Sequence, residues 1–200
     1  MIKTNALIFI FLIIQNFHLY SQDILPFVEN YSKLDYRGDN QIWNIAQGND
    51  ATMYFANNNY LLRYDGVKWE KYTLPKKTII RSIMVDGDRI YSGSYQEFGY
   101  WYRKNGKMHY VSISRDKKFF GENNNEEIWK IFKFKNKIYF QSFNDIFIYD
   151  GRTIVEKKIP FLISYCFVID NELLIASVKN GIYKWVYDWK TRKLKDFQKL

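Results

Sequence analysis

The chain alternates short apolar runs with polar turns, and this pattern recurs four times between Gln41 and Lys193. Each unit contains an apolar strand, a turn, an aromatic strand, another turn and a third strand. A period of roughly 35–50 residues without a helical pattern is typical of a β-propeller, in which each repeat forms one small antiparallel sheet. The sequence therefore predicts an all-β fold, a partial β-propeller of about four antiparallel blades in an open arc. Equivalent second-strand positions, spaced by 37, 48 and 35 residues, are Tyr54, Tyr91, Tyr139 and Leu174.

Turn signals set the expected limits of the blades. Gly48-Asn49-Asp50 and Asp65-Gly66 in blade 1 accept the positive φ that hairpin turns need. We expect three or four strands in each blade and no helix beyond the N-terminal segment. A seven-bladed ring needs about 280 residues at about 40 per blade, so we expect residues 41–200 to be the N-terminal part of a larger propeller. The predicted ranges are 22–40 for a lead-in segment and about 41–77, 78–125, 126–161 and 162–200 for the blades.

Residues 1–21 have the build of a signal peptide. Lys3 precedes nine apolar residues at 6–14, and a polar stretch ending at Ser21 follows. A membrane span needs about 20 apolar residues, so a signal peptide cleaved after Ser21 is favoured over an uncleaved anchor. The domain is expected in the periplasm or another extracytoplasmic space, with the full-length form anchored in the inner membrane.

The basic character of the chain changes this interpretation little. The formal net charge is +9, and the lysines are spread over turns and outer strands rather than along one stripe. Nucleic-acid proteins gather such charge on one face, and an exported chain is kept apart from nucleic acid. We therefore expect no nucleic-acid contact by this segment. Binding of an acidic ligand remains an alternative.

Residues suited to catalysis or metal binding are scarce. The chain has one cysteine, Cys166, in an apolar run, and beyond the signal peptide one histidine, His109. A His/Cys metal cluster is excluded by that count. The adjacent Glu126 and Glu127 would point to opposite faces of a strand, so they cannot act as a catalytic carboxylate pair. We predict no enzymatic activity, no metal and no cofactor.

A binding surface is easier to nominate. Propellers bind ligands at one face or at the channel mouth, where turns and the starts of inner strands meet. Tryptophan and tyrosine beside polar side chains suit a glycan, because rings stack on the sugar and polar groups bond its hydroxyls. The alternative is that Trp43 and Trp129 only pack between blades. The predicted ligand-binding residues are Asn40, Trp43, Arg81, Tyr95, Glu97, Glu127, Trp129 and Tyr165.

Blade 1 resembles the repeat of the two-component regulator propeller family. The resemblance is carried by NQIW (40–43), MYFAN (53–57) and LLRYDG (61–66), and the lead-in PFVENY (26–31) is similar to the start of sensors with a triple-tyrosine domain and a helix-turn-helix output. The likeness covers about residues 24–190 and is generic after blade 1. It departs from the family pattern at Ala51 and Tyr60, where glycine is usual, and at Tyr54, where tryptophan is usual.

This resemblance implies a function. Members of the family are periplasmic sensor regions of transcriptional regulators and hybrid two-component sensors, so the chain is expected to be the extracytoplasmic ligand-sensing segment of a signal-transducing transcriptional regulator. Its expected partners are a glycan or other small ligand, the rest of the same propeller and downstream signalling domains. The alternative is an exported propeller binding module for a protein partner or surface polymer, without signalling.

Overall fold

The structure is a computed structural model that describes residues 26–120, 125–188 and 193–200. The predicted signal peptide and its cleavage site lie outside the described residues. Residues 26–30 are exposed and precede the compact unit, which begins at Tyr31. No helix of the described part of the chain is both long and apolar enough to cross a membrane.

The described strands form four antiparallel sheets of four strands, each in chain order, which confirms the predicted open arc of four blades. Each sheet lies within one predicted repeat unit. Blade 1 contains β1 (Ile42–Gln47), β2 (Met53–Asn57), β3 (Leu61–Tyr64) and β4 (Trp69–Tyr72), and blade 2 contains β5 (Ile80–Asp86), β6 (Arg89–Ser94), β7 (Glu97–Lys104) and β8 (Lys107–Ser112). Blade 3 contains β9 (Lys130–Phe134), β10 (Lys137–Gln141), β11 (Asp145–Tyr149) and β12 (Ile154–Lys158), and blade 4 contains β13 (Ile163–Ile169), β14 (Glu172–Ser177), β15 (Gly181–Asp188) and β16 (Lys193–Lys199).

One short helix, α1 (Lys33–Tyr36), corrects the expectation that no helix follows the N-terminal segment. The Asp35 carboxylate accepts hydrogen bonds from the backbone N–H and the hydroxyl of Ser32, at 2.6 and 2.7 Å, and thereby closes the first turn. These bonds also lower the pKa of Asp35. Arg37 then ends the helix in the left-handed conformation, at φ 50°. A single turn carries no amphipathic period, so the hydrophobic pattern could not reveal it.

Hairpin turns fall where Gly, Asn and Asp cluster. Asn105-Gly106, Lys135-Asn136 and Asp170-Asn171 all adopt positive φ at both positions, as the tightest hairpin turns require. Ala51 also sits in the left-handed region, at φ 62°. This is one of the positions where the family usually has glycine, and an alanine there carries a steric cost that glycine avoids.

The innermost strands lie side by side in the order β1, β5, β9 and β13. The facing surfaces of neighbouring blades pack against each other, and we call each such contact a seam. Trp101 and Ile83 belong to the cluster between blades 1 and 2, Phe98 and Phe147 to the one between blades 2 and 3, and Trp185 to the one between blades 3 and 4. Burial of several such side chains per seam, each contributing about 1.5–3 kcal/mol, is what holds neighbouring blades together.

Blades 2 and 3 approach each other closely at Gly93. A Cβ atom there would lie 2.4 Å from Cγ2 of Ile128, a separation that side chains do not tolerate. Glycine at this position lets the segment leading into β9 lie directly on β6. That close approach fixes the position of Ile128 at the start of blade 3. It therefore also fixes the position from which the next residue, Trp129, projects.

The two ends of the arc differ. The outer face of blade 1 is covered by aromatic residues of the lead-in segment, since the Tyr31 and Tyr36 rings lie 5.3 and 5.6 Å from Trp69. The opposite end, on blade 4, leaves apolar side chains exposed, among them Ile169 and Ile182. The lead-in therefore acts as a cap on one end of the stack.

Candidate functional site at the channel mouth

The same irregularity begins the innermost strand of three blades. Pairing between β1 and β2 skips from Ile42 to Asn44, pairing between β5 and β6 skips from Ile80 to Ser82, and pairing between β13 and β14 skips from Ile163 to Tyr165. Blade 3 has the same irregularity. The Trp129 N–H donates a hydrogen bond to the Gln141 carbonyl, although the strand-pairing partner of Gln141 is Lys130. One extra residue therefore opens each inner strand. These bulge residues are Trp43, Arg81, Trp129 and Ser164.

A β-bulge bends its strand and re-aims the extra side chain. An isoleucine precedes the bulge residue in every blade, and Ile80, Ile128 and Ile163 are fully buried. The side chain that follows is then free to project toward the mouth of the central channel, which is how three of the predicted site residues come to meet there.

The guanidinium of Arg81 is the centre of this meeting. Its Cζ lies 3.9 Å from the ring centroid of Trp43 and 4.9 Å from that of Trp129, and the two indole rings are 6.3 Å apart in an edge-on arrangement. Each cation–π contact contributes about 0.5–2 kcal/mol when the cation is partly removed from water. Bulge residues of three consecutive blades are thus joined by one side chain.

Glu127 completes the set with a two-pronged ion pair. Its Oε2 and Oε1 accept hydrogen bonds from Nε and Nη2 of Arg81, both at 3.1 Å. The side chains are only 13% and 19% exposed, so solvent screens the pair weakly. We call Trp43, Arg81, Glu127 and Trp129 the mouth cluster.

Hydrogen-bond donors remain unused within the mouth cluster. Nη1 of Arg81 and Nε1 of Trp129 are buried and have no hydrogen-bond partner among the described residues. Nε1 of Trp43, in contrast, donates to Oδ1 of Asn58 at 2.7 Å. An unpaired buried donor costs about 1–3 kcal/mol, so a hydrogen-bond acceptor that reached either atom would remove that cost.

The site continues onto blade 4 through Lys130. Its Nζ lies 3.4 Å from the ring centroid of Tyr165 and donates to the Cys166 carbonyl at 2.7 Å. The ring of Phe167 lies 4.9 Å from that of Tyr165, and both are exposed. All four blades therefore contribute aromatic or charged groups to the same end of the inner strands.

The remaining predicted site residues lie outside the mouth cluster. Tyr95 is bridged to Glu127 through the backbone and donates its hydroxyl to Oδ1 of Asn125 at 3.0 Å, so it flanks the cluster. Asn40 is exposed in the lead-in segment. Glu97 is only 6% exposed and its Oε1 accepts hydrogen bonds from the hydroxyls of Tyr110 and Ser112. The Glu97 carboxylate is therefore used in hydrogen bonds within blade 2, and Glu97 does not belong to the candidate binding site.

Two mouth residues escaped the sequence analysis. Ser164 is the bulge residue of blade 4, one position before the predicted Tyr165, and Lys130 links blades 3 and 4. Aligning the isoleucine before each bulge, rather than the second strands, would have identified Ser164. Lys130 gave no signal, because it is one of many lysines and its role depends on the neighbouring blade.

A second charged group lies between blades 1 and 2. Arg63 is buried and its Nη1 donates to Asp65 at 3.0 Å and to Glu70 at 2.8 Å, while Nη1 of Arg103 donates to the same Glu70 oxygen at 3.1 Å. The two arginines and Asp50 line a cavity of about 260 Å³, which we call the blade 1–2 cavity. Its guanidinium groups are already matched by carboxylates, so it offers a ligand little net charge.

Groups with potential for catalysis are placed unfavourably. Burial raises the pKa of the Cys166 thiol to about 12, which keeps it protonated and inert. His109 lies exposed on β8 with its ring 5.4 Å from that of Tyr102. Burial, together with Glu156 and Glu126, raises the pKa of Asp145 to about 6. Among the described residues, no group of three His, Cys, Asp or Glu could hold a metal ion.

No family model and no curated protein matches this chain. Solved structures do resemble it. The extracellular domain of a protein described as a hybrid two-component system from B. thetaiotaomicron has a TM-score of 0.60 and 19% identity, over 79% of this chain and 22% of that chain. Virginiamycin B lyase from Staphylococcus aureus has a TM-score of 0.60 and 17% identity, over 80% and 57%. The WD40 β-propeller domain of Doa1 has a TM-score of 0.57 and 11% identity, over 80% and 55%.

These similarities establish the β-propeller fold. The first of these neighbours is the extracellular domain of the hybrid two-component system. The chain spans less than a quarter of that neighbour's length.

Proposed function

We propose that the chain is the extracytoplasmic ligand-sensing segment of a signal-transducing transcriptional regulator, and that its ligand is a glycan bound at the mouth cluster. The observation that carries the proposal is the convergence of Trp43, Arg81 and Trp129 from three consecutive blades. Binding between blades would couple ligand occupancy to their relative position, which is what a sensor needs. Two neighbours, described as extracellular domains of a hybrid two-component system and of a one-component system, support the sensing role.

The chemistry of the cluster suits a sugar. Indole faces stack on sugar rings, and the unused donors of Arg81 and Trp129 match hydroxyl oxygens. Glu127 neutralises Arg81, so the cluster does not require a charged ligand. The few groups suited to catalysis lie apart from it or are inert, and binding without turnover is the function we propose.

Binding of a panel of neutral oligosaccharides, measured by calorimetry on the full-length protein, tests this proposal. Trp43→Ala, Trp129→Ala and Arg81→Lys should each weaken binding by about 1–3 kcal/mol, because the tryptophan variants remove a stacking surface and Arg81→Lys removes the unused Nη1 donor. Arg115→Lys, at an exposed arginine outside the cluster, is the matched control and should leave affinity unchanged. Unchanged affinity in the three cluster variants, with circular dichroism showing an intact fold, would mean that the cluster only packs blades together.

A second function, an exported binding module without signalling, is favoured by one feature. The free face of blade 4 exposes the apolar side chains of Phe167, Ile169 and Ile182, as a protein-binding surface does. A reporter gene that responds to the glycan in cells carrying the intact protein, and loses that response with Trp129→Ala, would distinguish the sensor from the binding module.

A further inference from the structure

A cavity of about 460 Å³ lies between the outer strands of blades 2 and 3, away from the mouth cluster. We call it the blade 2–3 cavity. Its volume is in the range of small-molecule sites, about 300–1,000 Å³. None of the described residues that line it is acidic. The lining residues include Tyr100, Val111, Lys117, Tyr149, Arg152 and Ile154.

The cations of this cavity are unpaired. Lys117 and Arg152 are both exposed, and neither forms an ion pair with a carboxylate in the described part of the chain. The acidic residue closest in sequence to Arg152 is Asp150. Its carboxylate accepts hydrogen bonds from the backbone N–H groups of Arg152 and Thr153 and from the Thr153 hydroxyl, at 2.7–2.9 Å. It is thus held within the turn before β12.

A third cation adds to the field. Arg89 does not line the cavity itself, but its Cζ lies 4.4 Å from the ring centroid of Tyr100, which does. Like charges gathered around a concave surface with apolar walls focus their potential on a bound anion. Lys117 and Arg152 together could donate several charge-assisted hydrogen bonds to a carboxylate, sulfate or phosphate group.

Part of the remaining lining is apolar, although Ser112 and Thr153 also line the cavity. Val111 and Ile154 face the cavity together with the rings of Tyr100 and Tyr149, and the Tyr149 hydroxyl is already used, since it donates to the Gly151 carbonyl at 2.8 Å. A bare inorganic anion would leave this surface wet. A ligand with an apolar body would cover it and gain the free energy of that burial.

We infer that the blade 2–3 cavity is a second ligand site, and that it binds a small organic anion whose charged group lies against Lys117 and Arg152 and whose apolar body lies against Tyr100 and Ile154. This site shares no residue with the mouth cluster and does not depend on the function proposed for it.

Calorimetry of the full-length protein with phenyl phosphate, inorganic phosphate and phenol as probes tests the inference. Phenyl phosphate should bind with one-to-one stoichiometry, at least ten-fold more tightly than either of the other two. The double variant Lys117→Gln/Arg152→Gln should weaken phenyl phosphate binding at least ten-fold. Ile154→Asp should also abolish it, by placing a negative charge on the apolar wall.

The control removes the same net charge elsewhere. Lys104→Gln/Lys179→Gln changes two exposed lysines that do not line the cavity, and it should alter affinity less than two-fold. Equal weakening by both double variants would overturn the inference, since the probe would then respond only to the overall positive charge. Equal affinity for phenyl phosphate and inorganic phosphate, or absence of saturable binding at millimolar probe, would overturn it as well.

Discussion

The blade 1–2 cavity and the blade 2–3 cavity are built from equivalent seams of one repeating fold, yet they handle positive charge in opposite ways. In the first, Arg63 and Arg103 share the Glu70 carboxylate, and Asp65 takes a further bond from Arg63. In the second, Lys117 and Arg152 have no carboxylate partner among the described residues. The difference teaches that neighbouring seams of one fold can use positive charge differently, since paired arginines stabilise the first seam and unpaired cations leave the second able to receive an anion.

Removing the shared carboxylate should have the largest effect on stability. Glu70→Gln leaves Arg63, whose side chain is 8% exposed, with one of its two carboxylate partners. Breaking a largely buried pair on one side is strongly destabilising, and we expect a loss of about 2–3 kcal/mol in the free energy of unfolding. Urea denaturation measures it. Glu172→Gln, which breaks an exposed pair with Lys184, is the control and should cost less than about 0.5 kcal/mol.

Acid should erase the difference between Glu70→Gln and the unchanged protein. Burial alone would raise the pKa of Glu70, but hydrogen bonds from Lys68, Arg103, Tyr72 and Arg63 outweigh it and lower the pKa from 4.5 to about 2. A carboxyl with a depressed pKa stabilises the fold above its unfolded pKa, and this contribution disappears as the pH falls from about 4.5 to about 2. A stability difference that stays constant from pH 7 to pH 2.5 would contradict the pairing described for this seam.

Asp145 tests the opposite situation, a carboxylate gathered with others in blade 3. Its folded pKa of about 6 exceeds the unfolded value of 3.8, so the ionised form costs stability above about pH 6 and the cost is absent below about pH 4. Asp145→Asn should therefore stabilise the protein by about 1–2 kcal/mol at pH 8 and have little effect at pH 4. Urea denaturation at both pH values measures this, and a loss of stability at pH 8 would show that the carboxylate has a favourable partner.

A smaller gain is expected at the turn that borders the blade 1–2 cavity. Ala51 adopts φ 62°, a conformation that glycine reaches without strain. Ala51→Gly relieves that strain but adds freedom to the unfolded chain, so we expect a net gain of about 0.5–1 kcal/mol. Thermal unfolding measures it, and Ala46→Gly, within β1, should destabilise instead.

The smallest effect should come from the unpaired cations. Lys117→Gln/Arg152→Gln breaks no ion pair of the described structure, so the free energy of unfolding should change by less than about 0.5 kcal/mol. Together with Glu70→Gln this completes the comparison, because removal of a paired charge should destabilise one seam, whereas removal of unpaired charges should leave the stability of the other unchanged. A loss above 1 kcal/mol would mean that the two cations stabilise their seam after all.

The sequence predicted the blades well because strand alternation and turn chemistry are local. Asp170-Asn171 and Asn105-Gly106 form tight hairpin turns whose backbone preferences do not depend on distant residues. The meeting of Trp43, Arg81 and Trp129 could be anticipated only as a shared rim. Its cause, one extra residue in each inner strand, depends on pairing register, which composition does not reveal.

The ion pairs could not be predicted from the sequence, for a related reason. Arg63 and Glu70 are seven residues apart on neighbouring strands, and Arg103 belongs to another blade. The three side chains therefore meet only when blades 1 and 2 pack against each other. Nothing local distinguishes Arg103 from the unpaired Arg152. The burial of Glu97 likewise follows from Tyr110 and Ser112 on the adjacent strand, which turned a predicted surface residue into an internal one.

The bulge at the start of each inner strand has a consequence for how this protein can diversify. The extra residue has no strand-pairing partner, while in blades 2, 3 and 4 the isoleucine before it is buried in the core. Positions 43, 81, 129 and 164 can therefore change identity without shifting the register of any blade. A combinatorial library confined to these four positions would sample new specificities on a constant scaffold, much as hypervariable loops do on an immunoglobulin domain.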